Sequence, residues 1–264
     1  MRLRFLIAFL IIATPSAQAQ KAEKEWLGPA GERTRASLFR SADAGQSPIL
    51  IVVLHGDLDT GGASPLASKA ASQIHGVIAA ALVRPGYTDD EGDTSDGIMG
   101  KTNGDNYTPE VLKQLDAAVG QLKSQFHPSA VILVGHSGGA AITADLIARD
   151  NGLATAALLL SCPCDVPAWR KHMNTLRPNP TWDEPVTSIS PMSVVDQISP
   201  KTRIWMMVGD ADEVAPPEFT QRYADALRKH GIQPQVTVLP GRGHNIIFDS
   251  AAIQQLSALV AQIR

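Results

Sequence analysis

The sequence predicts an α/β fold, with an open, mainly parallel sheet flanked by helices and a small cap or a set of long loops. Three observations carry that prediction. Short apolar runs recur at residues 48–54, 77–83, 131–134, 156–160 and 204–208, as strands covered on both faces require. Helix-periodic stretches fill the intervals, so strand and helix alternate and the crossovers make neighbouring strands parallel. Polar residues follow directly after several of the runs, at the strand ends where open α/β sheets bind ligands.

The chain has 264 residues, of which 44% are hydrophobic and 19% charged, a composition that suits one large globular domain. Its formal net charge of −3 supplies no electrostatic attraction to nucleic acid or to an anionic membrane surface. A small-molecule or peptide substrate is the expectation that remains. The N-terminus is set apart from the fold. Met1-Arg2-Leu3-Arg4 is a basic start, residues 5–13 are apolar, and Ala17-Gln18-Ala19 fits a small-x-small cleavage site. Residues 1–19 therefore read as a signal peptide, and residues 20–264 as a single exported domain, periplasmic or secreted. The apolar run is too short to span a bilayer, so no membrane association is expected after cleavage.

In chain order, residues 20–47 are polar with an edge strand near 36–40. Residues 48–54 form a buried strand that ends in His55-Gly56-Asp57-Leu58. A helix is expected over 65–75 and a strand over 77–83, followed by a long loop, 84–107, rich in Gly and Asp. Its acidic stretch 89–96 lacks the EF-hand spacing of ligands and glycine and reads as solvated. Thr108-Pro109-Glu110 opens a periodic helix to about Phe126, with proline in the first turn. A strand at 131–134 then meets Gly135-His136-Ser137-Gly138-Gly139 and a helix over 140–148. After the strand at 155–160, residues 162–198 break into Pro, Trp and polar residues with at most short helices. Cys162-Pro163-Cys164 opens this cap as a disulfide or two quiet thiols; two thiols alone do not make a structural zinc site. Trp169 and Trp182 either line a pocket or pack the cap down. A strand at 203–208, a helix at 217–229, a strand at 235–239 and a helix at 250–263 complete the chain.

Strand, sharp turn and helix around Gly-His-Ser-Gly-Gly is the context in which G-x-S-x-G exposes a serine on an elbow. The N-terminus of the following helix adds partial positive charge and free N–H groups for an anion. A serine hydroxyl attacks only when a base removes its proton, and that base needs a carboxylate to orient it. Ser137, Asp212 and His244 occur in the order Ser, Asp, His at successive strand ends.

From about residue 48 onward the chain resembles the α/β-hydrolase family. The resemblance rests on His55-Gly56, Arg84-Pro85-Gly86-Tyr87, Gly135-His136-Ser137-Gly138-Gly139, Gly209-Asp210-Ala211-Asp212-Glu213-Val214-Ala215-Pro216 and Gly243-His244-Asn245. It implies Ser137 as nucleophile, His244 as base and then acid, and Asp212, rather than the flanking Asp210 or Glu213, as the carboxylate partner. The oxyanion hole it implies is the backbone N–H of Gly138 with that of Asp57 or Leu58. His55 and His136 fall in tight turns and read as loop-orienting residues. An aspartate at 57 is a departure from the family, since a carboxylate beside a developing oxyanion is unfavourable unless it is turned away or paired. Leu58, Tyr87 and Trp169 are the candidate substrate contacts. The short cap resembles the dienelactone-hydrolase and prolyl-oligopeptidase-like branches. The activity implied is that of a serine hydrolase of carboxylic esters working through an acyl-enzyme, without cofactor or metal. The alternatives are a serine peptidase or amidase on small peptides, to which Asp57 would offer a carboxylate for a substrate amine, and a non-catalytic binding protein that keeps the fold.

Overall fold

The structure, a computed structural model, describes residues 22–57 and 62–264. The expected signal peptide and Leu58 lie outside the described residues. Eight strands form one sheet: β1 (Glu23–Leu27), β2 (Thr34–Arg40), β3 (Ile49–Leu54), β4 (Val77–Leu82), β5 (Ala130–His136), β6 (Ala156–Leu160), β7 (Arg203–Gly209) and β8 (Gln235–Leu239). They lie in the order β1-β2-β4-β3-β5-β6-β7-β8. Pairing is parallel from β4 through β8, and β1 and β2 add antiparallel at one edge. The predicted open, mainly parallel sheet is thus present. One edge strand is expected from the sequence before residue 48, whereas the structure has two. The outer strand, Glu-Lys-Glu-Trp-Leu, carries the charge that blunts an exposed edge, which is why it did not read as a strand.

Helices cover both faces. α1 (Ala63–Gln73) and α6 (Ser250–Ile263) lie on one side; α2 (Pro109–Phe126), α3 (Gly138–Arg149) and α5 (Pro217–Lys229) lie on the other. The alternation of β3 divides the two cores: Leu50, Val52 and Leu54 face α2 and α3, while Ile51 and Val53 face α1 and α6. α2 starts where its sequence says it should, with the Thr108 hydroxyl accepting from Val111 N and proline in the first turn. Among the described residues no helix is long and apolar enough to cross a membrane.

Two expectations need correction. The cap is not confined to short helices: α4 (Val166–Leu176) runs for 11 residues. The Asp165 carboxylate caps it by accepting from Ala168 N, and Val166, Trp169 and Met173 turn inward. Its apolar positions are few enough that the surrounding prolines hid the period. The acidic stretch 89–96 is also not simply solvated. Asp89, Glu91 and Asp93 face Lys24 on β1 and Arg35 on β2, with Arg35 Nη2 2.7 Å from Asp93. Arg33 meets Asp96, so the loop is pinned to the antiparallel edge by ion pairs. Cys162 and Cys164 are joined by a disulfide directly after β6.

Candidate active site

Four strand ends converge on one cavity. At the end of β5, Ser137 sits at φ 53°, ψ −122°, the strained conformation of an elbow. The turn is so tight that a Cβ on Gly135 would lie 2.2 Å from the Gly139 carbonyl oxygen, and one on Gly139 would lie 2.4 Å from that of His55. Glycine at both positions is therefore a packing requirement. The elbow lifts the Ser137 hydroxyl out of the core and starts α3 immediately behind it.

His244, in the loop after β8, meets that hydroxyl: its Nε2 lies 2.9 Å from Ser137 Oγ. Its Nδ1 lies 3.0 Å from each carboxylate oxygen of Asp212. Asp212, in the loop after β7, has a fully buried side chain, and Val214 N and Ala215 N donate to it at 3.0 and 2.8 Å. These donors fix the carboxylate facing the imidazole, so Nδ1 is the nitrogen that donates to it and Nε2 is the one turned to the Ser137 hydroxyl. Asp210 turns away and accepts from Gly241 N. The His244 carbonyl is itself held by His136 Nε2 at 2.9 Å and Ser161 Oγ at 3.2 Å. Sequence reasoning missed Ser161, whose left-handed φ of 50° leaves no sequence signal in a serine.

Opposite the elbow, the Asp57 carboxylate is paired. Arg84 Nη1 donates to Oδ1 at 2.8 Å; the Tyr107 hydroxyl and Gly104 N donate to Oδ2, each at 2.9 Å. Arg84 and Tyr107 are wholly buried. Burial pulls the Arg84 pKa down, but the carboxylate more than restores it, and it ends above its usual value. Burial, reinforced by the Asp57 charge, holds the Tyr107 phenol well up, so it stays a donor. His55 is pushed down to about 3 by burial and by the Arg84 charge. It is neutral, its Nε2 accepting from Arg84 N and its Nδ1 donating to the Gly56 carbonyl. These contacts fix the backbone of residues 55–57 against the elbow. Among the described residues, neither Asp57 N nor Gly138 N is spent on a protein acceptor, so both are available to an oxyanion.

The cavity these groups surround has a volume of about 230 Å³. Trp169 and Met173 of α4, with Val214 and Ile247, give it an apolar wall, and Asn103, Asn245 and Arg177 add polar groups. Trp169 serves both readings made for it: it lines the cavity, and its Nε1 donates to the Val214 carbonyl at 2.8 Å. Tyr87 does not line the cavity. It lies behind the site and donates to the Asp57 carbonyl at 2.9 Å, so it supports the loop instead of touching substrate. Arg170, buried beside Trp169, ties α4 to Thr102 Oγ1 and to the carbonyls of Asn103, Thr181, Trp182 and Glu184. The arrangement has a hydroxyl nucleophile, an oriented base and two free N–H groups beside an apolar pocket, the parts that acyl transfer needs.

Comparison with known proteins agrees with that chemistry. The model of the prolyl oligopeptidase family matches residues 76–262. No curated protein sequence matches the chain. Among solved structures, the chain is similar to Est1E from Butyrivibrio proteoclasticus with ferulic acid bound, at a TM-score of 0.70 and 16% identity over 90% of this chain and 98% of that one. It is similar to the acylaminoacyl peptidase of Pyrococcus horikoshii at a TM-score of 0.68 and 10% identity, over 93% of this chain and 41% of that one. Esterase PE8 matches at a TM-score of 0.62 and 17% identity, over 91% of this chain and the whole of that one. These likenesses are of fold, an open eight-stranded α/β-hydrolase sheet.

Proposed function

The chain belongs to the prolyl oligopeptidase family of serine hydrolases, and from that premise we propose that it hydrolyses carboxylic esters through an acyl-enzyme. The observation that carries this reading is the continuous relay Asp212–His244–Ser137 at the mouth of an apolar cavity. Ser137 attacks the carbonyl carbon as His244 Nε2 takes its proton. The N–H groups of Gly138 and Asp57 receive the oxyanion, and the imidazolium returns the proton to the departing alcohol. Water then follows the same path, releasing the acid and free Ser137.

The state of Asp57 speaks against an aminopeptidase and so favours the ester reading over that alternative. An aminopeptidase of this construction needs a carboxylate free to receive the substrate's ammonium group, and the Asp57 carboxylate is already engaged by Arg84, Tyr107 and Gly104. Est1E, which binds ferulic acid, and esterase PE8 lend support as esterases of the same fold. The test is turnover of 4-nitrophenyl acyl esters beside aminoacyl and dipeptidyl nitroanilides, by the protein and its Ser137→Ala variant. Ester turnover abolished by the variant supports the reading. Comparable turnover of the anilides moves it to a peptidase, and activity surviving in the variant removes Ser137 from the mechanism.

Export belongs to the same proposal. The Cys162–Cys164 disulfide suits an oxidising compartment, as the N-terminal segment does. N-terminal sequencing of the protein recovered from its native cells should read from Gln20; a start at Met1 in protein taken from the cytoplasm rejects it.

A further inference from the structure

We propose that the substrate carries a carboxylate, received by Arg177 at the rim of the cavity. The inference rests on the hydrolase reading and names the class of ester it acts on. Trp169, Met173 and Arg177 follow one another at four-residue intervals, so they lie along one face of α4, and all three line the cavity. The first two give it an apolar floor. The third caps the C-terminus of the helix and is exposed, which adds a cation to the solvent side of the lining.

The balance of charge around the cavity gives Arg177 its significance. Among the described residues that line the cavity, each other charged or ionisable group has a partner or stays neutral. Asp57 is held by Arg84, and Asp212 by His244 and two backbone N–H groups. His55 is neutral and hydrogen-bonded on both nitrogens, and His136 holds the His244 carbonyl. Among the described residues Arg177 makes main-chain hydrogen bonds alone, its N–H donating to the Met173 carbonyl and its carbonyl accepting from Trp182 Nε1. Among the described residues its guanidinium has no carboxylate or carbonyl partner. By contrast Arg170, seven residues earlier, spends its guanidinium on five acceptors. An apolar pocket with one unspent fork of donors at its mouth fits a hydrophobic group that ends in a carboxylate, which guanidinium recognises bidentately. A cation at this place also complements the helix C-terminus, but that role concerns stability and is indifferent to substrate charge.

The test compares pairs of esters matched in shape and differing in charge. One pair places the charge on the acyl side: mono-4-nitrophenyl glutarate and its methyl ester. The other places it on the leaving group: the butyrate esters of 4-hydroxybenzoate and of methyl 4-hydroxybenzoate. In at least one pair kcat/KM should favour the anion about tenfold, mainly through KM, as a charge-assisted hydrogen bond at an open rim provides. The preference should shrink in Arg177→Gln, reverse in Arg177→Glu, and weaken with added salt. Equal ratios in the protein and both variants overturn the proposal while leaving the esterase reading intact. Absence of Ser137-dependent turnover of every ester overturns both.

Discussion

The Asp57 carboxylate occupies the space that a side chain on residue 138 would need. A Cβ built on Gly138 falls 2.0 Å from Asp57 Oδ1 and 2.6 Å from the Tyr107 hydroxyl. The residue after the nucleophile therefore has to be glycine here, and the two candidate oxyanion donors are packed against each other through that carboxylate. Gly138→Ala should displace Asp57 and with it the N–H of residue 57, one of the two donors aimed at the oxyanion. Loss of one such donor costs about a hundredfold or more in kcat. Steady-state kinetics on a folded variant check this; a kcat within threefold of the parent's would mean that the N–H of Asp57 is not an oxyanion donor.

The pair behind that contact is also a stability element. Arg84 is fully buried and the Asp57 side chain nearly so, and removing one partner strands the other charge in the core. Asp57→Asn and Arg84→Met should each destabilise the protein by about 3–5 kcal/mol, whereas removing both charges should cost less than the two losses added. Denaturant unfolding of the two single variants and the double variant measures the coupling. Strict additivity would show that the two side chains act independently. Asp57→Asn keeps two acceptor-side contacts, to Tyr107 and Gly104, only if its amide oxygen takes the Oδ2 position, so its activity should fall less than that of Arg84→Met.

What could be read from the sequence divides along a physical line. Ser137, Asp212 and His244 sit at strand ends, and a strand end is visible as an apolar run giving way to polar residues. Their convergence then follows from the parallel sheet alone. The pairing of Asp57 could not be read in the same way. Its partners Arg84, Gly104 and Tyr107 lie in a loop without periodicity, 27 to 50 residues away, and no local pattern marks which arginine will be buried. The sequence offers Tyr87 as a candidate substrate contact, but hydroxyl direction is a tertiary property, and it points at the Asp57 carbonyl. Arg170 was hidden for the related reason that its acceptors are backbone carbonyls, which every residue possesses. The helix α4 was obscured by prolines on either side of it, although Asp165 and Pro167 are a sound helix start.

A buried acid with no role in the chemistry provides a last prediction. Asp145 lies within α3, 1% exposed, and neither carboxylate oxygen has a hydrogen-bond partner among the described residues. The Tyr223 hydroxyl and Thr220 Oγ1 on α5 are likewise unpartnered, and the charge of Asp145 adds to burial in raising the Tyr223 phenol. Burial alone pushes the Asp145 carboxyl well above its usual range. Below about pH 4 the group is protonated in both folded and unfolded chains and adds no pH-dependent cost. As pH rises past that point the unfolded chain ionises and the folded one resists, so stability is lost with rising pH until the folded pKa is reached, at up to about 1.4 kcal/mol per unit. Asp145→Asn has no such penalty. Its stability relative to the parent should therefore grow from pH 4 to pH 7, as read from parallel denaturant curves. A difference that stays constant across that range would show that Asp145 ionises as freely in the folded protein as in the unfolded chain.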